Sequence, residues 1–165
     1  MVTLDDIRIR TELLPGDLGY VLYLHGSIYG KENDYGRPFE VYVAEGLLEF
    51  ARRYDSSMDR VWVCEHDGVI MGFMLLMHRE NNEAQLRYFL IHPDYRGIGL
   101  GKKLMELFRQ FASQRNYGGV YLWTTNEQKT AISLYLRYGF RLTEEKASTT
   151  FGKTTIEQRY DLILR

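Results

Sequence analysis

The sequence predicts an α/β (α+β) chain, with a mixed, mostly antiparallel sheet of six to seven strands flanked by about four helices. Three observations carry this. Arg60 to Glu65 and Val69 to Met77 are β-like runs joined around Asp67-Gly68, a hairpin signal, and Glu83 to Ile91 continues them past a turn at Asn81-Asn82. Leu104, Leu107, Phe108 and Phe111 then recur at helical spacing, with Met105 and Ala112 beside them. Val120 to Thr125, finally, is apolar almost throughout, which suits a buried parallel strand.

The remaining elements follow in order. Ile7, Ile9 and Thr11 alternate with Arg8, Arg10 and Glu12 as a first strand. Pro15-Gly16-Asp17 is a turn and helix start, with the Asp17 carboxylate expected to accept from the next amides. Leu18, Val21, Leu22, His25 and Ile28 share one helical face. A charged, glycine-containing loop, Gly30 to Pro38, precedes a second helix with Phe39, Val43, Leu47, Phe50 and Ala51 as its buried stripe. The third helix is expected over Lys102 to Arg115, ended by Gly118-Gly119. Gln128 to Tyr138 forms a fourth, with Ala131, Leu134, Tyr135 and Tyr138 on one side and Gly139 as its stop. Two last strands, about Leu142 to Ala147 and Ile156 to Ile163, join near Phe151-Gly152-Lys153. The 165 residues show no repeat or linker and suit one domain, 1–165, long enough to bury a core.

Composition narrows the function classes. Apolar content of 45% and charged content of 26% are ordinary for a globular protein. A net charge of −1 gives no global basic field, so nucleic acid is not an expected partner. The single cysteine, Cys64, excludes an intrachain disulfide and any multi-cysteine metal site, and no metal is expected. No signal peptide is recognisable, and the longest apolar run, Val69 to Met77, is too short to span a bilayer. The expectation is a cytoplasmic protein without a membrane partner. Thirteen tyrosines, many in the N-terminal third, suit either core-edge packing or a pocket wall.

The chemistry centres on Arg96-Gly97-Ile98-Gly99-Leu100-Gly101-Lys102, between a strand and an amphipathic helix. Alternate glycines let another backbone or a ligand approach closely. At a helix start they expose unpaired N–H groups at the positive end of the dipole, a receptor for phosphate or pyrophosphate. The Walker pattern fails, since Arg96 and Lys103 stand where it needs Gly and Ser/Thr. The dinucleotide pattern fails too, with Lys102 or Leu104 at its third glycine. What fits is Arg-x-x-Gly-x-Gly, from Arg96 through Gly99 to Gly101. The competing structural reading is a tight turn with glycine caps.

With Pro93 upstream, the Leu90-Ile91-His92-Pro93 strand end and the later Tyr135…Gly139-Phe140 element, this segment resembles the acyl-CoA pyrophosphate loop of the GNAT superfamily of N-acetyltransferases. The order of elements matches that fold over nearly the whole chain. The stretch Leu14-Pro15-Gly16-Asp17-Leu18-Gly19-Tyr20, followed by Leu24-His25-Gly26, is similar to the acetyltransferase half of MarR–GNAT fusion proteins. Ala84 to Tyr88 and Tyr121 to Thr124 point the same way.

The resemblance implies a GNAT-like sheet splayed at its middle strands and acetyl-CoA as cosubstrate, with no metal. It assigns the pyrophosphate to Arg96, Gly97, Ile98, Gly99, Leu100, Gly101 and Lys102, and the pantetheine arm to the backbone of Phe89, Leu90 and Ile91. Gln128 stands where many members carry Asn, and Asn126 is a nearby substitute. Tyr135 takes the position of the tyrosine near the CoA sulfur, and a phenol can donate to a departing thiolate. Glu83, thirteen residues before Arg96, takes the position of a base glutamate. Its structural reading is the solvated side of a half-buried strand, with Gln85 and Arg87 opposite Ala84, Leu86, Tyr88 and Leu90. Tyr135 likewise has a core-edge reading, and His78 and His92 are further candidates for the base.

The expected activity is direct acetyl transfer from the thioester to the amine of a small molecule or peptide, since Cys64 lies in an apolar strand remote from the loop. The rival is a catalytically inactive acetyl-CoA-sensing or partner-binding module of the same fold. The acceptor pocket is expected from the Gly30–Pro38 loop, the two N-terminal helices and the final hairpin, with Glu32, Asp34 and Glu40 available to attract a cation. A homodimer is compatible with a domain of this type.

Overall fold

A computed structural model describes residues 1–164. The elements are β1 (Arg8–Arg10), α1 (Asp17–Asn33), α2 (Arg37–Arg53), β2 (Arg60–His66), β3 (Val69–His78), β4 (Glu83–Ile91), α3 (Leu100–Gln114), β5 (Gly119–Thr125), α4 (Lys129–Arg137), β6 (Arg141–Ser148) and β7 (Thr155–Ile163). Short 3-10 turns at Leu4–Asp6 and Pro93–Tyr95 complete them. The strands form one seven-stranded sheet in the order β1-β2-β3-β4-β5-β7-β6. Only β4 and β5 run parallel.

Turn chemistry and strand parity explain most of this. Asp67-Gly68 has φ of 50° and 78°, and Asn81-Asn82 has 59° and 58°, the paired left-handed residues that close tight hairpins. Alternation along β2 then sends Trp62 and Cys64 to one side of the sheet and Val61 and Val63 to the other. The first side is covered by α3 through Leu104, Met105 and Phe108, the second by α1 and α2 through Val21, Val43 and Phe50. Because β3 is central, Ile70 to Met77 is buried on both faces.

Several expectations are corrected. The charged segment 30–38 is not a long loop: α1 runs to Asn33 and α2 starts at Arg37, leaving Asp34 to Gly36. Asp34 at φ 57° ends α1, and Pro38 in the first turn of α2 loses no needed N–H. The Asp17 carboxylate turns backwards, accepting from the Leu14 amide at 2.6 Å and pairing with Arg10 at 2.7 Å. The third helix begins at Leu100, two residues earlier than expected. Its exit turn is made by left-handed Asn116, while Gly119 opens β5.

The centre of the sheet matters most for function. β4 pairs with β5 only through Glu83–Gln85 and Gly119–Tyr121, after which the strands diverge. Leu90 and Ile91 remain paired to β3 alone. Between Arg87 and Leu90 the β3–β4 register shifts, and Tyr88 sits at φ 57°, a bulge. The bulge overturns the expected alternation of this strand. Ala84, Leu86, Phe89 and Ile91 face α3, whereas Tyr88 and Leu90 join the α1/α2 side, where Arg87 stacks on the Tyr42 and Tyr88 rings. Gly46 of α2 makes this arrangement sterically available, since a Cβ there would overlap the Tyr88 hydroxyl.

Candidate active site

Two cavities lie where β4 diverges from β5, and Phe89, Tyr29 and Gln128 line both. The first is a cleft lined by Phe89, Leu90, Ile91, Arg96, Gly97, Gly99, Leu100, Gly101, Lys102 and Gln128, with Glu32, Asn33 and Lys129 at its rim. Its floor is the start of α3. Gly99 is the N-cap at φ 89° and supplies no side chain to the helix. The first helical bond is Lys103 N–H to the Gly99 carbonyl, 3.1 Å. The preceding amides of Leu100, Gly101 and Lys102 therefore have no partner within the helix and point out of its positive end. Gly101 also has to be small: a Cβ there would stand 3.2 Å from Leu134 of α4.

Arg96 donates through Nε to the Ile91 carbonyl at 3.0 Å and grips Glu32 with both terminal nitrogens, at 2.7 and 2.9 Å. Gln128 reaches across to Asn33, Nε2 to Oδ1 3.0 Å. Three expected members lie elsewhere, Tyr135 among them in the wall of the second cavity. Ile98 packs under the loop against the core, because alternation along the loop turns it inward. Asn126 is exposed and fixed through its backbone N–H to Ile156.

The second cavity lies under α1 and α2. Tyr29, Tyr35, Phe39, Tyr42 and Phe151 make an aromatic collar, and His25, Arg87, Tyr88, Trp123, Thr125, Tyr135 and Glu157 complete the wall. Phe151 is delivered by the β6–β7 hairpin tip, which the Gly36 N–H clasps through the Phe151 carbonyl at 3.1 Å. The Tyr35 hydroxyl shares a hydrogen bond with Thr125 at 2.7 Å and donates to Glu127 at 3.1 Å; Glu127 in turn holds Lys153 at 2.8 Å. The acidic residues expected to attract a cation do not line this cavity. Glu32 belongs to the cleft, Asp34 and Glu40 are exposed, and the carboxylate facing inward is Glu157.

Burial sets the protonation of the wall. Tyr135 is 6% exposed, its ring packed on Phe89 and Phe140, and desolvation pushes its phenol well above the ordinary range. It is a neutral hydrogen-bond donor at any ordinary pH. Burial likewise raises Tyr29 to about 12. The His25 ring donates from Nδ1 to the Val21 carbonyl at 2.8 Å, leaving Nε2 as a bare, unpartnered acceptor. Burial lowers its pKa to about 4. Cys64 is buried in the core and pushed up to about 12, hence an inert thiol.

Glu83 is brought to neither cavity. It shares a strand face with Gln85, but sits at the closed end of the β4–β5 pairing, 3.9 Å from Arg159. Six residues of strand separate it from Phe89, roughly 17–20 Å. His78 is tied to Asp59 at 2.8 Å near that same end, and His92 accepts from the Asp94 amide at 3.2 Å. The elements expected to build a pocket, the segment 30–38, the two N-terminal helices and the final hairpin, supply Tyr29, Tyr35, Tyr42, Phe151 and Glu157 to this cavity, although the sequence singled out none of these residues. Tyr29 had a visible signal, one turn after His25 on the same helical face.

This architecture has relatives. The profile of the acetyltransferase (GNAT) family matches residues 27–140. The chain belongs to that family. Among curated relatives it is 28% identical to N-acetyltransferase 8F1 of Rattus norvegicus over 138 residues, 76% of this chain and 62% of the relative. It spans between about a third and under two thirds of the length of the curated relatives it matches. The fold superposes on a GNAT acetyltransferase of Staphylococcus aureus Mu50 with a TM-score of 0.75 at 22% identity, covering 96% of this chain and 99% of that one. A GNAT acetyltransferase of Elizabethkingia anophelis with acetyl-CoA bound gives 0.64 at 17% identity, covering 97% and 99%.

The cleft has, on its own chemistry, what a pyrophosphate-bearing thioester would need. Unclaimed amides at a helix start fit a pyrophosphate, and the unpaired β4 edge fits an amide-bearing arm. Among the described residues, no three or more His, Cys, Asp or Glu side chains stand together as metal ligands. No described helix is long and apolar enough to cross a membrane.

Proposed function

We propose that this acetyltransferase moves an acetyl group directly from acetyl-CoA to an amine bound in the aromatic cavity. The observation that carries this is that Phe89, packed beside Tyr135, lines both cavities. A thioester held in the cleft supplies the acyl group. The residues do the rest. Amides of Leu100, Gly101 and Lys102 hold the pyrophosphate, and the free edge of Phe89 to Ile91 aligns the arm and turns an N–H toward the acetyl carbonyl, where negative charge develops. Tyr135, kept neutral by burial, hydrogen-bonds the departing sulfur and retains its own proton.

The amine must lose a proton, its ordinary pKa being near ~10. Glu157 is the carboxylate placed to take it. It lines the cavity together with Phe89 and with Thr125, its partner across β5 and β7. Glu83 is too far along β4 for this role.

The test is Tyr135→Phe. Coenzyme A release falls by about a hundredfold or more, while acetyl-CoA affinity, read by calorimetry, stays within about twofold. Unchanged turnover would remove Tyr135 from the reaction. Absence of turnover across a broad amine panel in the wild-type protein, with affinity intact, would favour the acetyl-CoA-sensing module instead.

A further inference from the structure

Arg87 is unlike the other basic residues on this face of the sheet. Arg159 is paired with Asp161 at 2.8 Å, and Arg79 is satisfied by Gln85 and Glu49 at 2.6 and 2.9 Å. Arg87 has no carboxylate within 4.0 Å among the described residues. Its guanidinium lies 4.7 Å from the Tyr88 ring centroid and 5.6 Å from that of Tyr42, in the wall of the aromatic cavity. Rings hold a guanidinium in place without neutralising it, so its planar donor fork is left for an anion.

Its position is built. The Tyr88 bulge puts two consecutive residues on the cavity side, and Gly46 gives them room: a Cβ there would come within 2.8 Å of the Arg87 Nη2 and overlap the Tyr88 hydroxyl. Arg87 is also two residues before Phe89, a backbone distance of about 7 Å. An anion on Arg87 and an amine presented at Phe89 therefore belong to one small molecule. The collar of Tyr35, Phe39, Tyr42 and Phe151 suits an apolar or aromatic remainder.

Resting on the acetyl-transfer reading above, we infer that the acceptor is an amine carrying a carboxylate next to it, an amino acid with an apolar side chain, and that Arg87 is the residue that reads the carboxylate. A peptide N-terminus lacks that carboxylate and is a poor fit, as is a simple alkyl amine.

The experiment compares L-phenylalanine and L-leucine with their amides and decarboxylated amines. Binding is measured by calorimetry in the presence of coenzyme A, and turnover with acetyl-CoA. The free amino acids are expected to bind about thirtyfold more tightly than either analogue, the usual scale for losing one partner of a sheltered ion pair. Arg87→Gln should erase that preference, and Arg87→Lys should keep part of it, with the thermal midpoint of each variant confirming the fold. Equal binding of acids, amides and amines, or binding of none of them, would overturn the inference. Turnover of amines regardless of the carboxylate would overturn it too while leaving acetyl transfer standing. Selective binding of the acids without turnover would support the anion subsite and count against the transfer reading.

Discussion

Glu32 closes on Arg96 from the far end of α1, a two-pronged ion pair of 2.7 and 2.9 Å at the rim of the cofactor cleft. Both partners are more than a third exposed, at 45% and 37%, so the pair itself contributes little to stability. Its consequence is for the ligand. A carboxylate lies on the one arginine of the loop proposed to hold the pyrophosphate.

Glu32→Gln should therefore raise acetyl-CoA affinity by about threefold at low ionic strength, with the gain shrinking as salt screens it. Calorimetric titrations at two salt concentrations read this. A weaker affinity would mean that Glu32 serves to aim Arg96 at the phosphates.

The glycines of the loop make separable contributions. Gly101→Val would place a branched side chain against Leu134 and over the amides that face the cleft. Loss of two charge-assisted hydrogen bonds at about 1.5–3 kcal/mol each predicts at least about a hundredfold loss of acetyl-CoA affinity. Titration of the folded variant, its integrity checked by circular dichroism, decides. Retained affinity would reduce the loop to a turn.

His25 makes stability depend on pH in a defined window. The unfolded chain takes up its proton near pH 6.5, the folded chain only near about 4, so the unfolded state binds more protons in between. Stability is complete above pH 6.5 and declines as pH falls, by about 3 kcal/mol once below 4. The paired carboxylates Asp17 and Asp161 are lowered from 3.8, so their loss comes at still lower pH. Urea unfolding between pH 7 and 4 should show this slope in the wild-type protein and not in His25→Asn. Parallel slopes would refute the assignment.

Tyr88 and Gly46 form a matched pair. Gly46→Ala should cost about 1–3 kcal/mol through overlap with the hydroxyl. That hydroxyl is buried without a partner, so Tyr88→Phe should be neutral or stabilising by about 1 kcal/mol. The double variant should recover most of the loss, a coupling that denaturant melts will resolve.

Local features were legible in the chain itself. Period two through Val61 to Cys64, period 3.6 through Leu104 to Phe111, and left-handed turn pairs at 67–68 and 81–82 are set by backbone sterics within a few residues. The Arg96 to Gly101 spacing was legible for the same reason, since it specifies a helix start bare of side chains. Tertiary structure decided what such local rules leave open. One bulge at Tyr88, possible only because Gly46 faces it, moved Arg87 and Tyr88 onto the same side. Five segments far apart in sequence then supplied Tyr29, Tyr42, Arg87, Tyr135 and Phe151 to one cavity. No period encodes such a meeting, because it follows from the packing of α1 and α2 on a sheet whose middle strands have parted.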